Sequence, residues 1–229
     1  EERGIESVML PRVQPRRRSQ VTDLFHAADR ADREAARQLL PHLNSGQPVT
    51  RRRINEAMVA AFGGSDAEGR WTQRDSFEVL EHALALHIRA SNRSLVSFND
   101  VWPIIELGGR LPTQTVRSEE QIEWQQFSTP VDIGAVAILL ANIEPDDIIL
   151  EPSAGNGLLV AQIGAHRALH LNELDPVRRG RLADVFPDAV ITGHDGATLN
   201  STLSHIERPT LIIMNPPFHA GRAADPTLG

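Results

Sequence analysis

The 229-residue sequence contains no cysteine, no tyrosine and no lysine, so all 23 of its Lys+Arg cations are arginines. Without cysteine there is no disulfide framework, no thiolate metal site and no cysteine nucleophile. That absence fits a reducing interior, and a cytoplasmic location is the expectation. Long apolar runs are missing as well. The longest, Ile133 to Ile143, is interrupted by Asn142 and is too short to span a bilayer. The opening residues Glu1, Glu2 and Arg3 are charged, and no apolar signal segment is visible. A soluble protein is expected. Net positive charge is also lacking: 30 Asp+Glu against 23 Lys+Arg give -7. This balance argues against general coating of nucleic acid, while leaving room for a local basic groove.

Hydrophobic residues make up 41% of the chain, enough to bury a core. The length suits one large domain or two small ones. Two patterns divide it. Residues 1–125 are close to neutral, and residues 126–229 carry most of the negative charge. Residues 1–19, with Arg16-Arg17-Arg18, read as an extended basic arm, either a free tail or one that touches nucleic acid.

Residues 20–121 read as a helical domain. Leu24, Ala27, Ala28, Ala31, Ala35, Leu39 and Leu40 recur at helical spacing over Val21 to Leu43. Thr50 is a candidate N-cap for a helix through Phe62, stopped by Gly63-Gly64. Thr72 and Asp75 form a capping-box pattern before a helix carrying Phe77, Leu80, Leu84 and Ile88 on one face. A short helix near Asn99–Leu107, ended by Gly108-Gly109, follows. His82 and His87 are five apart, unlike a metal pair at i, i+4, and no metal site is expected. Arg51-Arg52-Arg53 opens a helix against its macrodipole, which marks either a solvated face or a surface for something anionic.

Residues 122–229 alternate between short apolar runs and helical stretches. Strands are expected at Ile148–Leu150, Ala168–Leu171, Ala189–Ile191 and Thr210–Met214, with a helix over Pro176–Val185. This order predicts an α/β fold with a parallel, Rossmann-like half-sheet. The first strand runs into Glu151-Pro152-Ser153-Ala154-Gly155-Asn156-Gly157, where the glycines permit a tight turn and close backbone approach to a ligand. A helix is expected next, offering its N-terminus to an anionic group. Asn172-Glu173-Leu174-Asp175 ends the second strand. Glu173 is suited to ribose hydroxyls, and Asp175 before Pro176 to helix capping. His194-Asp195-Gly196 follows the third strand, where Asp195 either meets an adenine amine or simply makes a turn.

Asn215-Pro216-Pro217-Phe218 follows the fourth strand. Two prolines there build a rigid turn rather than more sheet. The Asn215 side-chain oxygen and the Pro216 carbonyl can both accept from one exocyclic amine, and Phe218 offers a ring face to a planar base. Accepting the amine protons localises its lone pair on nitrogen.

This tetrapeptide resembles the signature of amino-group methyltransferases that use S-adenosylmethionine. Gln126-Phe127-Ser128-Thr129-Pro130 resembles the Phe-x-Thr-Pro segment of gamma-order N6-adenine DNA methyltransferases. The resemblance covers about residues 122–229. It implies a class I methyltransferase domain with a cofactor site at Phe127, Thr129, Pro130, Glu151, Pro152, Ala154, Gly155, Gly157, Glu173, Leu174, Asp195 and Gly196. It implies a catalytic set of Asn215, Pro216, Pro217 and Phe218, with DNA as partner through a flipped-out adenine. Val131 to Ile143 then fits the helix beside the cofactor. More narrowly, the sequence is similar to the methylase module at the front of bacterial methylase–helicase proteins of the strawberry-notch type. Complete enzymes of the family have three further strands and usually a target-recognition domain, whereas here 11 residues follow Phe218. A C-terminally truncated module of a longer protein, or one completed by a partner, is therefore expected.

Alternatives stay open from the residues alone. The same tetrapeptide serves RNA or protein glutamine as substrate, and a non-catalytic cofactor-binding or docking module has the same loop. A nicotinamide enzyme fits poorly, because Val160 stands where the third glycine of G-x-G-x-x-G belongs.

Overall fold

The computed structural model describes residues 17–112, 128–203 and 207–216. Four helices come first: α1 (Arg17–Asn44), α2 (Arg51–Phe62), α3 (Gln73–Ser91) and α4 (Phe98–Gly109). Their limits follow from local chemistry. The Thr50 hydroxyl accepts from the Arg53 amide at 3.3 Å, and Gly63 ends α2 at φ 69. Thr72 and Asp75 form the reciprocal capping box of α3, and Asn92 closes that helix in the left-handed region. Two limits differ from expectation. Arg17 to Ser19 are already helical in α1, and the rest of the expected arm, 1–16, lies outside the described residues. Helix α4 runs through Gly108-Gly109, held by the Arg110 amide on the Leu107 carbonyl.

The second half contains α5 (Val131–Ala141), β1 (Ile148–Glu151), β2 (Ala168–Asn172), α6 (Pro176–Val185), β3 (Val190–Thr192), α7 (Leu199–Thr202) and β4 (Leu211–Ile212). The four strands form one all-parallel sheet in the order β3-β2-β1-β4. Ile148 pairs with Ala168, Leu150 with Ile212, and Leu171 with Ile191. The α/β class with a four-stranded parallel sheet is as the residues predicted. The strand order reverses direction at β1, between β2 on one side and β4 on the other. In open parallel sheets the crevice at the carboxyl ends beside such a reversal is where ligands bind.

The expected helix after the glycine loop is absent. Only a 3-10 turn, Leu158–Val160, lies between β1 and β2. The amides of Arg167 and Ala168 already bond the Asp147 carbonyl at the start of β1. Residues 161–167 return the chain to the start of β2 in turns and irregular backbone instead of the expected helix. A three-residue turn offers no helix N-terminus to an anion.

One apolar core runs through both halves, from Ala35 and Leu39 of α1 through Val79 and Leu84 of α3 to Ile149, Leu171 and Leu182. A buried ion cluster crosses the same boundary. Arg181 of α6 pairs with Asp32 of α1 and Glu78 of α3, and Arg178 pairs with Glu78 at 2.8 Å. Such pairs tie elements in a fixed register, because an unpaired charge buried there is costly. Gly134 of α5 comes close enough to the 3-10 turn that a Cβ would lie 3.0 Å from the Leu158 carbonyl oxygen. Among the described residues, no helix is long and apolar enough to cross a membrane.

Candidate functional site

Parallel strands bring their carboxyl ends to one edge, so residues far apart in sequence meet there. Glu151 ends β1 and is 1% exposed. Its Oε1 accepts from the Ser153 amide at 3.2 Å and hydroxyl at 3.3 Å, while Oε2 has no partner. Burial pushes its carboxyl up to about 8, with the nearby Glu173 charge acting in the same direction. Glu151 Oε2 is a buried polar atom that no group of the described residues engages.

The loop after Glu151 is shaped by its glycines. Gly155 has φ 56 and Gly157 has φ 82, conformations that L side chains rarely adopt. At Gly155 an added Cβ would meet nothing within 4 Å, so this turn faces open space. At Gly157 it would sit 2.6 Å from Phe186 and 2.9 Å from Leu182. The two glycines thus serve different ends: Gly155 keeps the approach clear, and Gly157 lets α6 pack beneath.

Glu173, at the end of β2, is buried. Its Oε2 accepts from the Gly155 amide at 2.8 Å and its Oε1 from the Asp175 amide at 2.8 Å. The carboxylate holds the glycine turn, and its remaining lone pairs leave acceptor capacity for a hydroxyl. Asp175 caps α6, accepting from the amides of Val177 and Arg178 ahead of Pro176. Leu174 is 64% exposed, an apolar side chain at the same edge.

Asn172 organises three strand ends. Its Nδ2 donates to the carbonyls of Pro152 (3.0 Å) and His194 (2.9 Å). Its Oδ1 accepts from the Thr192 hydroxyl and the His194 amide, each at 2.9 Å. The Ala154 amide bonds the Asn172 carbonyl at 2.8 Å. Asp195 and Gly196 are exposed beyond β3, and a Cβ on Gly196 would lie 3.9 Å from the Pro152 carbonyl oxygen. The 195–196 turn therefore borders the loop after β1. The sequence motif gives Asn172 no role of its own. The signal for one is a polar residue closing a largely apolar strand.

From the other side of β1, Asn215 follows β4. Its Nδ2 donates to the Thr129 hydroxyl at 3.1 Å. Thr129 is buried, Asn215 half-buried, and Pro130 and Pro216 exposed. Phe127, Pro217 and Phe218 lie outside the described residues. The structure brings together Thr129, Pro130, Glu151, Pro152, Ala154, Gly155, Gly157, Glu173, Leu174, Asp195, Gly196, Asn215 and Pro216 along one sheet edge. Among the described residues, no group of three or more His, Asp or Glu side chains could hold a metal ion.

The basic run of α2 does not join this edge. Arg52 and Arg53 face Glu56, and Arg51 lies over the Phe77 ring at 5.8 Å. The open depression bordered by Arg52, Asn55, Glu56, Val59 and Ala60 is formed by α2 alone and lacks a second wall.

Compared with known proteins, the chain matches no family model, no curated protein and no solved structure.

Proposed function

We propose that this chain is an S-adenosylmethionine-dependent methyltransferase module that acts on the N6 amino group of adenine in DNA. The observation that carries the reading is the Asn215–Thr129 hydrogen bond. It joins the two segments whose residues resemble the gamma-order enzymes, beside a glycine turn at the sheet's reversal point.

The donor set fits the cofactor. The unpartnered Glu151 oxygen suits an ammonium group, the open face of Gly155 a close-lying ligand backbone, and Glu173 a ribose diol. Exposed Leu174 and Asp195 suit the apolar face and the amine of an adenine. When bound, S-adenosylmethionine supplies an activated methyl group on a sulfonium sulfur.

The Asn215 amide nitrogen is engaged by Thr129, which leaves its oxygen to accept from a substrate. That oxygen and the Pro216 carbonyl accept the two N6 hydrogens of a flipped-out adenine. Holding those hydrogens localises the nitrogen lone pair and aligns it for direct displacement, a matter of positioning without a covalent enzyme intermediate. Phe218, two residues on in sequence, is assigned the stacking face.

The test is transfer of labelled methyl groups from S-adenosylmethionine to pooled DNA, RNA and protein. Label recovered as N6-methyladenine in DNA, and lost with Asn215→Ala, is the expected result. Label in RNA or in glutamine side chains overturns the substrate. Saturable cofactor binding with no transfer to any pool identifies a binding module instead.

A further inference from the structure

Glu81 of α3 belongs to no sequence motif of the site, yet it touches two of the site's segments. Its Oε2 accepts from the Ser128 hydroxyl at 2.6 Å and from the Asn156 side-chain amide at 2.7 Å. Ser128 immediately precedes Thr129, the partner of Asn215. Asn156 sits between Gly155 and Gly157. These contacts span 47 and 75 residues of chain. We infer that Glu81 is a positioning residue for the cofactor site, clamping the Thr-Pro segment to the glycine turn and making the helical half part of that site. The statement about the cofactor rests on the methyltransferase reading above.

Three observations carry the inference. First, both donors converge on one oxygen, so neither segment can shift without stretching a bond to the same atom. Both hydrogen bonds are short, at 2.6 and 2.7 Å. Second, the platform under Glu81 is anchored on several sides. One turn earlier Glu78 pairs with Arg178 and Arg181 of α6, and two turns later Arg89 donates to the Ile163 carbonyl at 2.8 Å. Arg89 also lies over the Phe186 ring at 5.4 Å. Helix α3 is therefore fixed against the α/β half on either side of Glu81. Third, Asn156 is gripped from both ends. Its Oδ1 accepts from Arg181 Nη1 at 3.0 Å while its Nδ2 donates to Glu81. Asp32 of α1 holds Arg181 in turn.

A continuous series of contacts thus runs from Asp32 through Arg181, Asn156, Glu81 and Ser128 to Thr129 and Asn215. Burial pushes the Glu81 carboxyl above its ordinary value, and the hydrogen bonds from Ser128 and Asn156 and the charge of Arg178 oppose that push. Contiguity alone does not establish coupling, so the test measures it.

The test uses the full chain and has two readouts, one without ligand. The first is amide hydrogen exchange over residues 154–157 and 128–134, with residues 35–39 of α1 as reference. The second is calorimetric titration with S-adenosylmethionine. Glu81→Ala is expected to speed exchange in both site segments by about tenfold, the loss of one hydrogen bond or more, with the reference unchanged. It weakens the titration by a similar factor. Glu81→Gln keeps an acceptor oxygen at the same reach and recovers most of both effects, whereas Glu81→Met keeps the bulk without the acceptor and recovers neither, which a bulk packing role would not require. Ser128→Ala removes one donor from the surface and cannot unfold the core; it speeds exchange in 128–134 alone.

Unchanged site exchange in both Glu81→Ala and Ser128→Ala overturns the clamp. Faster exchange with cofactor affinity unaltered by Glu81→Ala overturns its role in positioning the cofactor site. Faster exchange in a protein whose wild type does not bind S-adenosylmethionine removes the methyltransferase reading and leaves the clamp standing.

Discussion

Thr129 and Asn215 are 86 residues apart in the chain and joined by a 3.1 Å hydrogen bond in the fold. Because the amide nitrogen is the donor, the pairing leaves the Asn215 oxygen as the atom that, on the proposed methyltransferase reading, accepts from the substrate amine. Asn215→Ala removes that acceptor and is expected to lower methyl transfer by at least about a hundredfold, the scale of losing one preorganised transition-state contact. Cofactor affinity changes little, since Asn215 is assigned to the amine. Thr129→Val keeps the shape and loses the hydroxyl, so the Asn215 amide is free to turn, and transfer falls by about tenfold. Single-turnover transfer with parallel calorimetry separates the two effects. Undiminished transfer by Asn215→Ala sinks the role given to that residue.

The two loop glycines are expected to respond differently to alanine. Gly157→Ala meets Phe186 and Leu182 below van der Waals distance at a positive φ. A loss of about 2–5 kcal/mol is expected from strain plus overpacking. Gly155→Ala meets nothing, so only the backbone penalty of about 1–2 kcal/mol applies. Its methyl instead fills the open space over the strand ends, and the larger effect is on ligand affinity. Urea midpoints and cofactor titrations of the two variants check the contrast. Equal stability losses, with unaltered affinity for Gly155→Ala, would contradict it.

The ion cluster predicts the acid limb of the stability curve. Glu78 is held down at about 2, against an ordinary 4.5: burial raises it, but the charges and hydrogen bonds of Arg178 and Arg181 outweigh that. A depressed carboxyl stabilises the fold above its unfolded value, and that contribution disappears as pH falls from about 4.5 toward 2. Glu78→Gln takes the carboxylate partner from buried Arg178 and is expected to cost about 3–5 kcal/mol at neutral pH. Its stability should then fall less steeply in acid than that of the wild type. Parallel acid-limb slopes in chemical denaturation would remove Glu78 as their source.

Glu151 acts in the opposite sense. Its folded carboxyl is pushed up to about 8 from 4.5. Below the lower value both states are neutral and no penalty arises. Between the two values the unfolded chain ionises and the folded one stays protonated, so stability declines as pH rises toward 8. Glu151→Gln is expected to flatten this limb and to be the more stable protein at about pH 8, while losing affinity for a cationic ligand group. Thermal melts at pH 5 and pH 8 test the sign, and a steeper decline in the variant would reverse the assignment.

Much of the framework was legible in the residues because its causes are short-range. Thr50, Thr72, Asp75 and Asp175 cap helices through atoms two or three residues away. The apolar runs of β1 and β2 bury wherever a parallel sheet forms. The loop glycines take positive φ for reasons internal to a tight turn. The helix expected after Gly157 is replaced by a 3-10 turn packed against Gly134 of α5, a tertiary contact that no local pattern of residues 158–167 encodes.

The candidate site divides the same way. Its residue types and their order along the chain announced themselves, since each strand end carries its own polar signature. Tertiary structure alone decided that Glu173 grips Gly155, that Asn172 ties three strand ends, and that Glu81 reaches Ser128 and Asn156 from the other half. A side chain's hydrogen-bond partner across 47 to 149 residues is set by how helices dock on a sheet. Docking is governed by the summed burial of many apolar groups. No local pattern encodes that sum, so the polar contacts it brings together became visible only in the folded chain.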